Sequence, residues 1–119
     1  MINRVEFEGI GFHATTYSGV GLTAASTGKA VTVVAPGTVG LGSDGNILLG
    51  MVVAFEGDGN VSVQDKGYCK LPAATKISAR TNVTVDGSGN VKAGSAVALP
   101  IVVDNKDWAT DGKLDVFLG

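Results

Sequence analysis

Apolar and polar residues alternate with a period of two along most of this chain. In RVEFE, Val5 and Phe7 share one face, and NVSVQ, TNVTVDG and KLDVFLG repeat the pattern. Such alternation is typical of antiparallel strands with one buried face. The segment ILLGMVVAF is apolar on both faces, which predicts a central strand. Gly50 within it indicates a bulge or a close approach of two backbones.

Turn residues separate these short segments, which predicts an all-β fold, a small antiparallel barrel or sandwich with short hairpins. We expect less than about a fifth of the chain to be helical, with one possible turn at residues 73–79. The length of 119 residues predicts a single domain overall. Within it we assign residues 1–28 to an N-terminal strand and arm and residues 29–119 to the β-domain.

The extended N-terminal arm is predicted over residues 9–28, where Gly, Ser and Thr are frequent and apolar residues stand singly. An extended segment can add a strand to a neighbour's sheet while its side chains fill pockets. The alternative is an ordinary long loop within the domain. If the arm is correct, deletion of residues 1–25 spares a folded domain.

Three copies of a Gly-Asn corner, at Gly45, Gly59 and Gly89, raise the question of calcium loops or phosphate loops. An EF-hand register starting at Glu56 puts Val61 at the glycine position and Gly67 at the glutamate position. Neither the P-loop nor the dinucleotide pattern is complete anywhere. We therefore predict two-residue hairpin turns, because glycine reaches a positive φ without steric cost and a preceding Asp can bond the turn amides.

Composition and candidate chemistry favour binding over catalysis. Charged residues make up 17% of the chain, below the roughly 25% that is typical, which suggests that a partner covers part of the surface. The net charge of −2 gives no support to nucleic-acid binding, and the longest apolar run is too short for a membrane helix. His13 and Cys69 are the only residues of their types. We expect no enzyme, no catalytic or metal site and no cofactor.

The chain also resembles a known family from Lys29 onward. KAVTVVAP is followed by GMVVAFEGDGNVSVQDKGYCKLPAA, then ISARTNVTVDGSGNV and the terminal LDVFLG. This order is similar to the decoration, or cement, proteins of tailed-phage capsids. The resemblance implies that Gly67, Leu71 and Pro72 bound a core strand. It also implies that Asp86, Gly87 and Gly89 shape a hairpin.

The resemblance implies a structural virion protein that binds the outer surface of an assembled phage capsid and stabilises it. The resemblance further implies that the protein forms a homotrimer and binds the major capsid protein. The protein would be made in the host cytoplasm and end on the capsid exterior. We name Phe12, Tyr17 and Trp108 as candidate interface anchors, since aromatic residues dominate interface energies. Trp108 could instead pack at the base of the acidic loop DNKDWATDG. The alternatives are another phage β-module, from a tail or fibre, or a carbohydrate-binding β-sandwich.

Overall fold

A computed structural model describes residues 13–94 and 99–119 of the chain. It is 51% strand and 7% helix, which confirms the predicted all-β class. The strands are β1 His13–Gly19, β2 Ala30–Ala35, β3 Thr38–Gly40, β4 Gly50–Gly57, β5 Asn60–Lys66, β6 Tyr68–Pro72, β7 Val83–Val85, β8 Val91–Ala93, β9 Ile101–Asp104 and β10 Lys113–Phe117. A 3-10 turn spans Ala24–Ser26, and a one-turn helix, α1, spans Trp108–Asp111.

The first five strands close into a barrel in the order β1-β3-β2-β4-β5. Neighbours are antiparallel except β1 and β3, which run parallel and pair Ser18 with Thr38 and Gly19 with Val39. The antiparallel pairing of β1 with β5 completes the ring. The structure therefore decides between barrel and sandwich for this part of the chain.

The remaining strands lie beside the barrel as a three-stranded sheet, β6-β10-β9, and a β7–β8 hairpin. A parallel bridge between Ala73 and Val91 and an antiparallel bridge between Asn82 and Ile101 connect the two. Gly67 precedes β6, and the buried Leu71 and the adjacent Pro72 end it. These three residues bound a core strand, as the resemblance implied.

Two hydrophobic cores result, one inside the barrel and one under the second group of strands. Strands β2 and β4 contribute to both cores. Ala30 and Met51 pack with the second core, whereas Val31 and Val52 lie in the barrel core. Successive side chains of a strand point to opposite faces, so these strands form a wall shared by both cores. This explains why ILLGMVVAF is apolar on both faces.

Gly50, at the start of β4, marks a close backbone approach, as predicted. A Cβ at this position would collide with the main-chain oxygen of Gln64 on β5. Only glycine therefore lets β4 and β5 approach so closely here.

The Gly-Asn corners have positive φ as predicted, but their turn types differ from the prediction. Between β4 and β5 the two central residues are Asp58 and Gly59, with φ of 52° and 76°. Gly57 pairs with Asn60 across them. Two consecutive positive φ values fit a type I′ turn. The hairpin corner is therefore Asp-Gly, and the predicted Gly-Asn turn is wrong.

The other two corners, unlike this one, are not two-residue hairpin turns. Gly45, with φ of 91°, lies in the connection between β3 and β4, which do not pair with each other. Gly87 and Gly89 lie in a longer loop between Val85 and Val91, which are paired. There Asp86 Oδ1 accepts hydrogen bonds from the amides of Ser88 and Asn90, at 2.8 and 3.2 Å. Asp86 thus shapes this hairpin, as the resemblance implied.

The predicted arm is wrong for residues 13–28. Residues 13–19 form barrel strand β1, which pairs with β5 over most of its length and with β3 at its end. Leu22 packs into the barrel core, and the backbone of Gly28 donates to Val52 O. Deletion of residues 1–25 would remove a barrel strand, so it cannot spare the domain. The predicted strand RVEFE and the arm residues 9–12 lie outside the described residues.

Two local expectations also need correction. Residues 73–79 contain no helical turn; the single described α-helix is instead α1, within the loop predicted from DNKDWATDG. In KLDVFLG, alternation puts Asp115 on the face opposite the apolar Leu114 and Val116, yet Asp115 is only 7% exposed. Because β10 is the middle strand of its sheet, the positions opposite Asp115 on both neighbours, Lys70 and Asp104, place their side chains on the same face beside it.

Candidate functional site

An open groove lies on the barrel surface where β2 and β4 separate. Their ladder covers only Ala30 with Met51 and Val31 with Gly50. Just before β4, the Leu49 amide still donates to Val31 O at 2.9 Å. Beyond that point β2 continues with β3 as its neighbour, and the chain preceding β4 bends away. The resulting groove has a volume of about 740 Å³.

We call this feature the β2 groove: residues 32–34 of β2 line one side, and residues 42, 43 and 45–49 of the β3–β4 connection line the other. A β-turn shapes the second side, in which Asn46 N donates to Ser43 O at 3.0 Å around Gly45. Asn46 Oδ1 also accepts from Ser43 N at 2.8 Å. The side chain of Asn46 therefore fixes the turn from within.

The connection is also held at two points outside the turn. Gly45 N donates to Val85 O and Val85 N donates to Asn46 O, at 2.9 and 3.1 Å, which ties it to β7. At its start, a Cβ on Gly42 would collide with the methyl group of Thr32 on β2. Glycine at 42 therefore allows the connection to leave β3 close against β2.

The surface of the β2 groove is uncharged and partly apolar. None of the residues that line it carries a charge. Val33, Val34 and Ile47 are 52%, 42% and 67% exposed. A Cβ on Gly40 would lie 3.0 Å from Val20 Cγ1 and 3.5 Å from Val34 Cγ1, so the apolar surface continues to the exposed Val20. Contiguous apolar surface of this kind marks interaction sites.

The predicted anchors lie elsewhere. Tyr17 is half-buried in β1, packs against the barrel core and donates its hydroxyl to Asp65 Oδ2 at 3.0 Å. Trp108 is half-buried at the start of α1, packs against the second core and donates Nε1–H to Ala73 O at 3.0 Å. Phe12 lies outside the described residues. Neither described aromatic lines the β2 groove.

Sequence reasoning missed the β2 groove, although two local signals were present. Val33 and Val34 are adjacent on a strand, so one must leave the face that alternation assigns to apolar residues. Ile47 follows directly on the Asp44–Asn46 turn and precedes the strand proper. Neither observation reveals that the two segments are neighbours, because that depends on where the β2–β4 ladder ends.

A second polar feature joins β1 to β5 around the Asp65 carboxylate. Oδ1 lies 2.8 Å from His13 Nδ1. Oδ2 accepts hydrogen bonds from the hydroxyls of Thr15 and Tyr17, both at 3.0 Å. His13, Thr15 and Tyr17 are spaced two apart on β1, so their side chains share one face of the strand. One carboxylate therefore organises three side chains of the neighbouring strand.

The electrostatics of this cluster favour an ionised Asp65. Partial desolvation raises the pKa of Asp65, but the hydrogen bonds from His13, Thr15 and Tyr17 outweigh it and hold that pKa below its usual value. Burial, followed by the bond to Asp65, raises the pKa of the Tyr17 hydroxyl. The hydroxyls bond to the carboxylate and not to the imidazole, so the cluster lacks a nucleophile–base pair. Its evident effect is to fasten β1 to β5.

The acids of the last loop are organised around Lys70. Lys70 Nζ lies 2.9 Å from Asp107 Oδ2 and 3.8 Å from Asp111 Oδ2. The bond to Asp107 raises the pKa of Lys70 against the opposing effect of burial. Burial raises the pKa of Asp115, which attraction to Lys70 partly offsets. These contacts fix α1 and its loop against β6.

Among residues 13–94 and 99–119, no three His, Cys, Asp or Glu side chains are grouped so as to hold a metal ion. Within the same residues, no helix is long and apolar enough to cross a membrane.

Comparison with known proteins adds no assignment. No protein-family model matches the chain, and no curated protein matches its sequence. A function therefore has to be inferred from the residues and the geometry described above.

Proposed function

We propose that this chain is a structural virion protein that binds the outer surface of an assembled phage capsid and stabilises it. The observation that carries this proposal is the β2 groove, an uncharged and partly apolar surface on a closed barrel. Apolar surface gains roughly 25 cal/mol per Å² when a partner covers it. A closed barrel with its own buried core presents such a surface with little loss of conformational entropy on binding.

The low charge content supports the same proposal. Six charged residues lie between His13 and Lys66, the region that forms the barrel, and eleven lie after it. A partner that covers the barrel therefore has to desolvate few charges, and desolvated charges are costly. The proposed partner is the major capsid protein.

A homotrimer at a local three-fold position is part of the proposal. Each subunit then offers one weak contact to the shell. Once the first contact forms, the others form at high effective concentration, and the combined affinity exceeds that of one subunit. The protein would be made in the host cytoplasm and end on the capsid exterior, and the role requires no enzymatic activity.

Two alternative classes remain open. A tail or fibre module would use the same kind of apolar surface but would bind no shell. Carbohydrate-binding proteins usually stack sugars on aromatic side chains. Among the described residues, Phe55 is the one aromatic that belongs to the exposed large hydrophobic residues. A glycan-array signal would favour the carbohydrate-binding hypothesis.

The test is co-sedimentation of the full chain with capsids of its source virus that lack it. We expect saturable binding and a higher temperature of shell rupture. Ile47→Asp should weaken binding, because it places a charge in the β2 groove. Leu99→Asp is the matched control, since Leu99 is also exposed but lies outside the barrel. Absence of binding by the unaltered chain would refute the decoration proposal, and equal loss in both variants would refute the assignment to the β2 groove.

A further inference from the structure

The sequence contains Asp-Gly pairs, which can rearrange their own backbone. They begin at Asp44, Asp58, Asp86 and Asp111. In this rearrangement the amide nitrogen of the glycine attacks Cγ of the aspartate and closes a five-membered succinimide ring. Glycine permits the attack because it has no Cβ to obstruct the approach. The carboxyl group and the amide must both be free to meet, so the structure decides which pair reacts.

Three of the pairs are held by hydrogen bonds. Gly45 N donates to Val85 O at 2.9 Å, and Gly112 N donates to Trp108 O at 2.8 Å. The carboxylates of these two pairs also lie near lysine ammonium groups. In the third pair, Asp86 Oδ1 accepts the two backbone hydrogen bonds that shape its loop. Ring closure in any of these pairs first requires that such bonds break.

The Asp58–Gly59 pair differs in both respects. Both residues are exposed at the tip of the β4–β5 hairpin. Within residues 13–94 and 99–119, the Asp58 carboxylate has no hydrogen bond or ion pair, and the Gly59 amide has no acceptor. The carbonyl oxygen of Gly59 is bonded, since it accepts from Gly19 N at 2.7 Å. The two groups that must react are therefore both available.

We propose that Asp58 is a site of spontaneous succinimide formation and conversion to isoaspartate. Gly59 N bonds to Asp58 Cγ, the bond from Cγ to its hydroxyl oxygen breaks, and water leaves with the amide proton. A second water molecule then opens the ring. Attack at Cγ restores aspartate, whereas attack at the main-chain carbonyl gives isoaspartate, in which the backbone runs through Cβ and Cγ. The reaction needs no oxidant or cofactor, and the site does not depend on the proposed function.

Isoaspartate at this position adds one atom to the backbone of the hairpin tip. A type I′ turn connects its strands through two residues of ordinary length, so the longer link cannot keep Gly57 opposite Asn60. It also displaces Gly59 O from Gly19 N, the bond that ties the hairpin tip to the end of β1. Conversion of Asp58 should therefore loosen this end of the barrel.

Incubation of the folded full chain near neutral pH tests the site. A protease that cleaves before aspartate leaves isoaspartate uncut, so mass spectrometry of the digest reports each Asp-Gly pair separately. We expect isoaspartate to form at Asp58 at least about tenfold faster than at the other three pairs, because their bonds must first be broken. The matched control is the chain incubated in denaturant, where the pairs should react at similar rates. No excess at Asp58 in the folded chain, or the same excess in denaturant, would overturn the proposal.

The effect on the barrel is tested with Asp58→Gly. This variant lacks the reacting carboxyl group and keeps a turn, because Gly-Gly suits a type I′ turn. Incubation should lower the melting temperature of the unaltered chain and leave that of Asp58→Gly unchanged. Asp44→Ser, which removes another Asp-Gly pair, should remain as sensitive to incubation as the unaltered chain. An equal loss in Asp58→Gly would show that isoaspartate at Asp58 does not loosen the barrel.

Discussion

The barrel and the second group of strands both have buried cores, but their surfaces differ. In the barrel, Val20, Val33, Val34, Ile47 and Phe55 are exposed. In the second group, Leu99 is the one large hydrophobic residue with comparable exposure among the described positions. Charged residues show the opposite distribution, since six lie between His13 and Lys66 and eleven follow Lys66. Apolar surface is thus concentrated on the barrel and charge on the second group of strands, although Asp44 beside the β2 groove pairs with Lys92 of β8 at 2.7 Å.

This difference indicates which side of the molecule a partner covers. Exposed ion pairs interact well with water and contribute little to stability. Exposed valine and isoleucine side chains gain free energy when they are covered. The barrel is therefore the side on which we expect binding, and the second group of strands is the side on which we expect solvent.

The substitution with the largest expected effect on stability tests whether the barrel and the second group of strands unfold together. Leu114→Ala opens a cavity in the second core, where Leu114 is fully buried. It should lower the free energy of unfolding by about 2–5 kcal/mol. Because β2 and β4 line both cores, the barrel should unfold in the same transition. Thermal unfolding followed by near-ultraviolet and far-ultraviolet circular dichroism checks this, and two separate transitions would show that the regions are independent.

Asp65→Asn should lower the free energy of unfolding by about 2 kcal/mol, because hydrogen bonds to a charged group stabilise more than hydrogen bonds between neutral groups. The pKa of Asp65 is lowered in the folded state, so its contribution is present above its unfolded value of about 3.9. That contribution is lost as pH falls through the lower folded pKa. Melting temperatures at pH 7 and pH 3 should differ less for Asp65→Asn than for the unaltered chain. If the melting temperature of Asp65→Asn depends on pH as much as that of the unaltered chain, or more, Asp65 does not stabilise the contact between β1 and β5 through its charge.

Gly59→Val should lower the free energy of unfolding by about 1 kcal/mol or more, because Gly59 has a φ of 76°. A Cβ at this position would meet open space. The cost therefore reports backbone strain in the hairpin turn and not a clash. Ser62→Val, in the neighbouring half-buried strand position, is a control with ordinary β backbone. Calorimetry with millimolar calcium or a chelator should give the same melting temperature. A clear rise with calcium would restore the ion-site hypothesis.

The smallest expected change in stability concerns Asp115, in the second group of strands. The pKa of Asp115 is raised, so its ionised form is disfavoured in the folded state, and the resulting penalty is present above its folded pKa. Asp115→Asn should raise stability at pH 7 by about 1 kcal/mol or less, because attraction to Lys70 offsets part of the desolvation. At pH 3 the substitution should change little. Destabilisation at pH 7 would mean that the attraction to Lys70 dominates.

Much of the fold was predictable because local patterns encode it. The alternation around Val61 and Val63 indicated their strand and its buried face, and both residues lie in the barrel core. Glycine at 59 and 89 indicated positions of positive φ. The exact turn was not predictable, since Asp58 also adopts a positive φ of 52°. That choice depends on the pairing of Gly57 with Asn60, which is a property of two strands together.

The candidate site was predictable only in part. Composition indicated a surface that a partner covers, but the named anchors were aromatic residues. Tyr17 and Trp108 are instead half-buried and use their polar atoms in bonds to Asp65 and Ala73. An aromatic side chain looks the same in sequence whether it packs inward or outward. Only the surrounding backbone decides which.

The sequence by itself determined the all-β class, the strands with alternating faces and the glycines that corners require, because these depend on neighbouring residues in the chain. The tertiary structure alone decided that β1 closes the barrel and that the β2–β4 ladder ends after Val31. Both follow from pairings between segments far apart in sequence. The β2 groove exists because that ladder ends early, and no local pattern records where a ladder ends.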